Sequence, residues 1–95
     1  MAEKTFSLKD LLVSDRNSIW EDRAMCDVRC PLCGYVDQDM GLPALVPGED
    51  NYKAGWGGRG DLIVIPMKGY CGHKWDICFG FHKGRVAAFA RVFEP

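Results

Sequence analysis

Two short clusters constrain this chain more than any other feature: Cys30-Pro31-Leu32-Cys33-Gly34 and Cys71-Gly72-His73. Together they offer three thiols and an imidazole, the ligand set of a closed tetrahedral zinc site. Two thiolates separated by two residues can share an ion only if the backbone folds back between them. Pro31 fixes its own φ, and Gly34 permits a positive φ just after the second thiol. Backbone N–H groups of such a turn can point at the sulfurs and stabilise their charge. The chain has 95 residues, enough for one domain with a small core, so a metal cross-link is physically useful.

The chain has five cysteines and two histidines for four ligand places. Spacing narrows the choice. If residues 74–81 form a strand, each residue advances it by about 3.3 Å. Cys78 then lies on the order of 13 Å beyond Lys74, and His82 lies farther still. Zinc needs sulfur at ~2.3 Å and nitrogen at ~2.0 Å. Cys26 precedes Cys30 by four residues on an incoming strand and reads as a small buried apolar residue. The expected ligands are Cys30, Cys33, Cys71 and His73. The 37 residues between Cys33 and Cys71 exceed the ~15–20 usual in ribbon sites.

Ser7, with Asp10 three residues on and Phe6 and Leu11 flanking, predicts a helix start; Leu8, Leu11 and Leu12 would share one face. Ser18 and Glu21 repeat the signature, which predicts a second helical turn bearing Ile19 and Trp20. Residues 1–25 therefore read as a short helical arm, and 26–36 as a strand entering the first metal knuckle. Residues 37–60, rich in Gly, Pro, Asp and Asn, read as a long loop with a short strand around Leu42–Val46. Gly55-x-Gly57-x-x-Gly60 matches a dinucleotide fingerprint only as a string, because it leads into a strand.

Residues 61–93 read as a three-stranded antiparallel meander. Leu62-Ile63-Val64-Ile65 is apolar on both faces. Trp75, Ile77, Phe79 and Phe81 alternate with Asp76, Cys78, Gly80 and His82. His82-Lys83-Gly84 is a turn, and Arg85 to Phe93 returns. The fold class is mainly β: one zinc-ribbon-like antiparallel sheet with a short N-terminal helical arm.

Cys-Pro-Leu-Cys-Gly, Arg59-Gly60-Asp61-Leu62-Ile63-Val64-Ile65, Cys71-Gly72-His73-Lys74-Trp75 and Phe81-His82-Lys83-Gly84 resemble the small zinc-ribbon-like proteins of bacterial and phage genomes. The resemblance spans residues 28–93 and implies a ribbon fold with a structural metal held by two knuckles. It implies no catalytic activity. Many such proteins carry a second Cys pair where this chain has Cys-Gly-His, which leaves the fourth ligand open among His73, Cys26, Cys78 and His82.

No carboxylate pair, Ser-His arrangement or open three-ligand metal site stands out, so no enzymatic activity and no small-molecule substrate are expected. Cys-Pro-x-Cys also occurs in thiol-disulfide redox proteins, but that chemistry wants a helix after the motif, and Gly34 with the Asp, Gly and Pro residues beyond it argues against one. No apolar run approaches the ~20 residues of a membrane helix. The N-terminus does not read as a leader, which makes the chain a cytoplasmic one, in the host cytoplasm if phage-encoded. In that reducing setting structural disulfides are not expected.

The expected function is a protein-interaction module with a structural Zn(2+), a component or modifier of a larger host or phage assembly, with Tyr52 and Trp56 as loop anchors. The alternative is nucleic-acid binding. The net charge is −1, but residues 59–95 hold six basic and three acidic side chains. Lys68, Lys74, Lys83, Arg85 and Arg91 would then meet phosphates.

Overall fold

The computed structural model describes residues 2–13, 20 and 25–94. Its centre is the meander: β6 (Leu62–Gly69), β7 (Lys74–His82) and β8 (Arg85–Glu94), paired antiparallel in sequence order. Alternation along β7 buries Trp75 and Ile77 on one face, with Phe79 half-buried beside them, while Cys78 is buried on the other. His82 faces Arg85 across a two-residue turn. Lys83 and Gly84 there have φ of 51° and 77°, the left-handed pair that a tight hairpin requires.

The meander is widened on both edges. β1 (Ala2–Ser7) pairs antiparallel with β8, with Phe6 opposite Ala90. On the other side β4 (Gln38–Met40) and β5 (Ala44–Val46) both pair with β6. A separate two-stranded ladder joins β2 (Leu12–Val13) to β3 (Asp27–Val28).

The helical arm expected from Ser7 is not what forms. Ala2–Ser7 is strand, and only a four-residue 3-10 turn follows, Leu8–Leu11, with no side-chain cap from Ser7. The reason is competition. A helix between Phe6 and Asp15 is too short to be stable alone, whereas the open edge of β8 offers six residues of ladder pairing. Leu11 still reaches the core, at 6% exposure, but Leu12 faces outward at 44%. The second turn expected around Ser18 and Glu21 lies outside the described residues.

The core lies on one face of the sheet. Trp75, Ile77, Ala90 and Val92 pack with Leu11 and Cys30, flanked by Phe6, Leu8, Val28, Ile65, Met67 and Phe79. Cys30 therefore belongs to both the core and the first knuckle.

The opposite face is covered by the loop 47–61, which folds back on the sheet. The Gly48 N–H donates to the Asp61 carboxylate at 3.0 Å, and the Arg59 N–H donates to His82 Nδ1 at 3.0 Å. Trp56 lies on this face, its Nε1–H donating to the Gly60 carbonyl and its ring stacked against Phe89 at 20°. Gly80 makes the seat: a Cβ there would stand 2.5 Å from Trp56 Cζ3. Gly80→Ala should therefore push the indole off the sheet at a cost of about 1–3 kcal/mol. A thermal melt read beside tryptophan fluorescence checks this; an unchanged melting temperature contradicts the seat.

Candidate metal centre

The first knuckle is the turn leaving β3. The Cys30 N–H donates to the Tyr35 carbonyl at 2.8 Å, and the Gly34 N–H donates back to the Cys30 carbonyl at 2.9 Å. These two bonds close the loop around Pro31 and Leu32. Gly34 takes φ 80°, which a side chain would strain. The Leu32 N–H sits 3.4 Å from Cys30 Sγ and points a partial positive charge at that sulfur.

The second knuckle is the β6–β7 hairpin loop. The Gly69 N–H donates to the His73 carbonyl and the Gly72 N–H to the Gly69 carbonyl, both at 2.9 Å. Gly72 supplies the left-handed step at φ 93°. That bend carries Cys71 and His73 onto the side where Cys30 and Cys33 arrive.

One ligand atom from each of Cys30, Cys33, Cys71 and His73 lies within 4.8 Å of the other three. His73 Nδ1 is 3.6 Å from Cys30 Sγ and 3.4 Å from Cys71 Sγ. A tetrahedron with metal–sulfur bonds of ~2.3 Å and metal–nitrogen bonds of ~2.0 Å has S···N edges of about 3.5 Å. The four residues thus fit one ion in spacing as well as in chemistry. His73 Nδ1 is the nitrogen turned toward the sulfurs. Cys30 is buried, whereas Cys33 and Cys71 are exposed, so the site is walled by the core on one side and reached from solvent on the other.

The thiols are electrostatically unequal. Cys71 is lowered to about 7, first by the His73 backbone N–H and then, against some desolvation, by its neighbours Cys33, His73 and Cys30. At Cys33 the Tyr35 N–H pulls the other way, but Cys71, burial and Cys30 together leave its pKa raised. Cys78 is pushed up to about 11, chiefly by burial, with Arg91 opposing. In metal-free protein at about pH 8, iodoacetamide should therefore label Cys71 first, Cys33 more slowly and Cys78 not at all. Peptide mass spectrometry reads the order. Labelling of Cys78 as fast as Cys71 contradicts it.

The other candidate ligands lie elsewhere. Cys26 is half-buried ahead of β3, and Cys78 is fully buried within β7. His82 ends β7, eight residues beyond Lys74 or about 26 Å along the strand. The loop aromatics divide: Tyr52 is 54% exposed, whereas Trp56 is folded onto the sheet. The cations also divide. Arg91 lies 3.4 Å from Glu3 and 3.6 Å from Asp76 and sits over the Phe93 ring. Lys68 and Lys74 face each other beside the metal centre, in a groove shared with Asp39 and Asp76. Lys83 and Arg85 are at the far hairpin.

Sequence reasoning missed Gln38. Its Oε1 accepts the Trp75 Nε1–H at 2.6 Å, and its Nε2–H donates to the Val28 carbonyl at 2.6 Å. This chain ties β7 to the strand that enters the first knuckle. No sequence signal marks it, because a glutamine after a turn reads as ordinary surface.

Among the described residues no helix is long and apolar enough to cross a membrane. No family model matches the chain, and no curated protein or solved structure does so either.

Proposed function

We propose that this chain is a zinc-ribbon-like interaction module whose fold is pinned by one structural zinc ion on Cys30, Cys33, Cys71 and His73. The observation that carries the metal half of the reading is the convergence of those four ligand atoms within 4.8 Å. Three thiolates with one imidazole suit zinc better than the hard cations, which prefer oxygen. Four protein ligands leave no position for water or substrate, so the ion's role is structural and the chain is read as a non-enzyme. Two knuckles on separate turns, each presenting a ligand pair beside an antiparallel sheet, support the ribbon comparison.

The interaction half of the reading rests on the sheet face beyond the core. Leu45, Ile63, Phe81 and Val86 are 60%, 42%, 52% and 64% exposed. The register sets Leu45 opposite Ile63, Ile63 opposite Phe79, and Phe81 opposite Val86, so these side chains share one face. Contiguous exposed apolar surface of this kind is typical of protein contact sites. It supports a protein partner better than Trp56 does, whose ring already packs against Phe89. A nucleic-acid track along the basic half finds less support, since Arg91 is paired and Lys68 and Lys74 have carboxylates beside them.

Metal analysis of the purified chain tests the centre directly. One zinc per chain is expected, with loss of the ion in Cys33→Ser and retention in Cys26→Ser. Equal metal content in the two variants overturns the ligand assignment.

A further inference from the structure

At the hairpin remote from the metal centre, a surface cavity of about 510 Å³ opens between the tip of β7–β8 and the loop 47–61. Its size falls within the ~300–1,000 Å³ of ordinary ligand clefts. The Trp56 indole forms one wall, and the others come from His82, Lys83, Arg85, Val86 and Ala87. Among the described residues no carboxylate lines it. The groove beside the metal centre differs, because there Asp39 and Asp76 accompany Lys68 and Lys74.

Three nearby acids have other partners, and a fourth, Asp50, lines an adjoining cleft with Arg59 and Lys83. Asp61 accepts the Gly48 N–H, and Glu49 pairs with Lys53 at 2.9 Å. Glu3 lies against Arg91. Lys83 stands between that cleft and the cavity, and Arg85 presents its charge to the cavity, whose described lining holds no carboxylate.

His82 adds a directed donor. Its Nδ1 accepts the Arg59 N–H, so the neutral ring carries its proton on Nε2. Among the described residues that second nitrogen makes no hydrogen bond, and the ring lies against Tyr52 and Trp56, with centroids 6.5 Å and 6.4 Å away. Two cations and one N–H donor on the wall of a single cavity suit an oxyanion with several acceptor oxygens. Trp56 and the Ala87 side chain, which the register puts on the same face of the sheet, give apolar surface beside that charge, which suits a planar ring.

We propose that the cavity between Trp56, His82, Lys83 and Arg85 binds a phosphate-bearing ligand with a planar ring. A free nucleotide and the phosphorylated end of a nucleic-acid strand share this chemistry. The site lies at the opposite end of β7 from Cys71 and His73, and it does not depend on the reading of the metal centre.

Calorimetric titration of the metal-loaded chain at ~50 mM salt tests the proposal, with adenosine monophosphate, adenosine, and a short oligonucleotide with and without its 5′-phosphate as probes. The phosphorylated probes should bind at least ~10-fold more tightly than their unphosphorylated counterparts, because charge-assisted hydrogen bonds are lost without the phosphate. A tighter oligonucleotide identifies a strand end, and equal affinities identify a free nucleotide. Lys83→Asn keeps a residue tolerant of the left-handed turn, and Arg85→Gln leaves the strand intact; each should weaken binding ~10-fold with no change in melting temperature. Chemical shifts of the Trp56 and His82 ring protons should move with the same affinity. The proposal is overturned if no phosphorylated probe binds below ~10 mM. It is equally overturned if binding is unchanged in both variants, which would mark non-specific attraction elsewhere.

Discussion

Cys30→Ser is expected to melt more than about 20 °C below the parent chain, and chelation of the parent should bring it to the same place. Structural zinc in small domains is worth on the order of 10 kcal/mol, because the site does not exist in the unfolded chain. A domain of this size holds only about 5–15 kcal/mol of net stability. Loss of roughly 5 kcal/mol, at about 4–8 °C per kcal/mol, gives the stated shift. Cys30 is the ligand of choice for the test. It is 1% exposed and packs in the core cluster with Leu11 and Trp75, so a serine there loses a thiolate and buries a hydroxyl together. Cys26→Ser, at a half-buried position outside the cluster, is the control and should cost about 1 kcal/mol or less. Circular-dichroism melts with and without a strong chelator decide the matter. If verified metal removal leaves the melting temperature in place, the ion is not what holds the knuckles together.

Trp75→Ala is expected to be comparably severe, at about 3–5 kcal/mol. The side chain is 3% exposed in the centre of the core. It sits two residues beyond His73, and its indole N–H starts the chain through Gln38 to the Val28 carbonyl. Removing the ring opens a cavity and leaves Gln38 without its donor. Trp75→Phe separates the two effects, since it keeps most of the volume and deletes the hydrogen bond, for a cost of about 1–3 kcal/mol. Denaturant unfolding of both variants gives the values. Equal stability of Trp75→Ala and the parent contradicts the placement of this residue in the core.

The metal cluster and the meander were legible in the residues for different reasons. Cys-Pro-Leu-Cys-Gly carries its turn chemistry locally: the proline, the glycine and the thiol spacing together specify a backbone that folds back. Trp75, Ile77 and Phe79 carry a period of two, which is a strand signal over any stretch long enough to count. Neither inference needed a distant partner. Ser7 and Asp10 show the opposite case. Their spacing is a genuine helix-start pattern, yet the unpaired edge of β8 takes Ala2–Ser7 as a strand. Nothing between residues 2 and 11 announces that edge.

The long Gly- and Pro-rich stretch was legible only in part. Residues 44–46 form a strand, as the apolar run around Leu42–Val46 led one to expect, but the pairing of Gln38–Met40 with β6 has no local signature. Trp56 has the same history. In sequence it is an aromatic ring in a glycine loop, suited to an exposed anchor. Its seat depends on Gly80, Phe89 and His82, three residues that lie 24 or more positions away in the chain.

The amino-acid sequence alone determined the local chemistry: which thiols can turn toward an ion, where strands alternate, and where the chain must reverse. Tertiary structure decided everything that depends on two remote segments meeting. It brought Cys71 and His73 to Cys30 and Cys33, spent Arg91 on Glu3 and Asp76, and set Lys83 and Arg85 on one cavity whose described lining holds no carboxylate. Spacing and periodicity report bonds between near neighbours, whereas charge balance and exposure are settled only when the whole sheet has assembled.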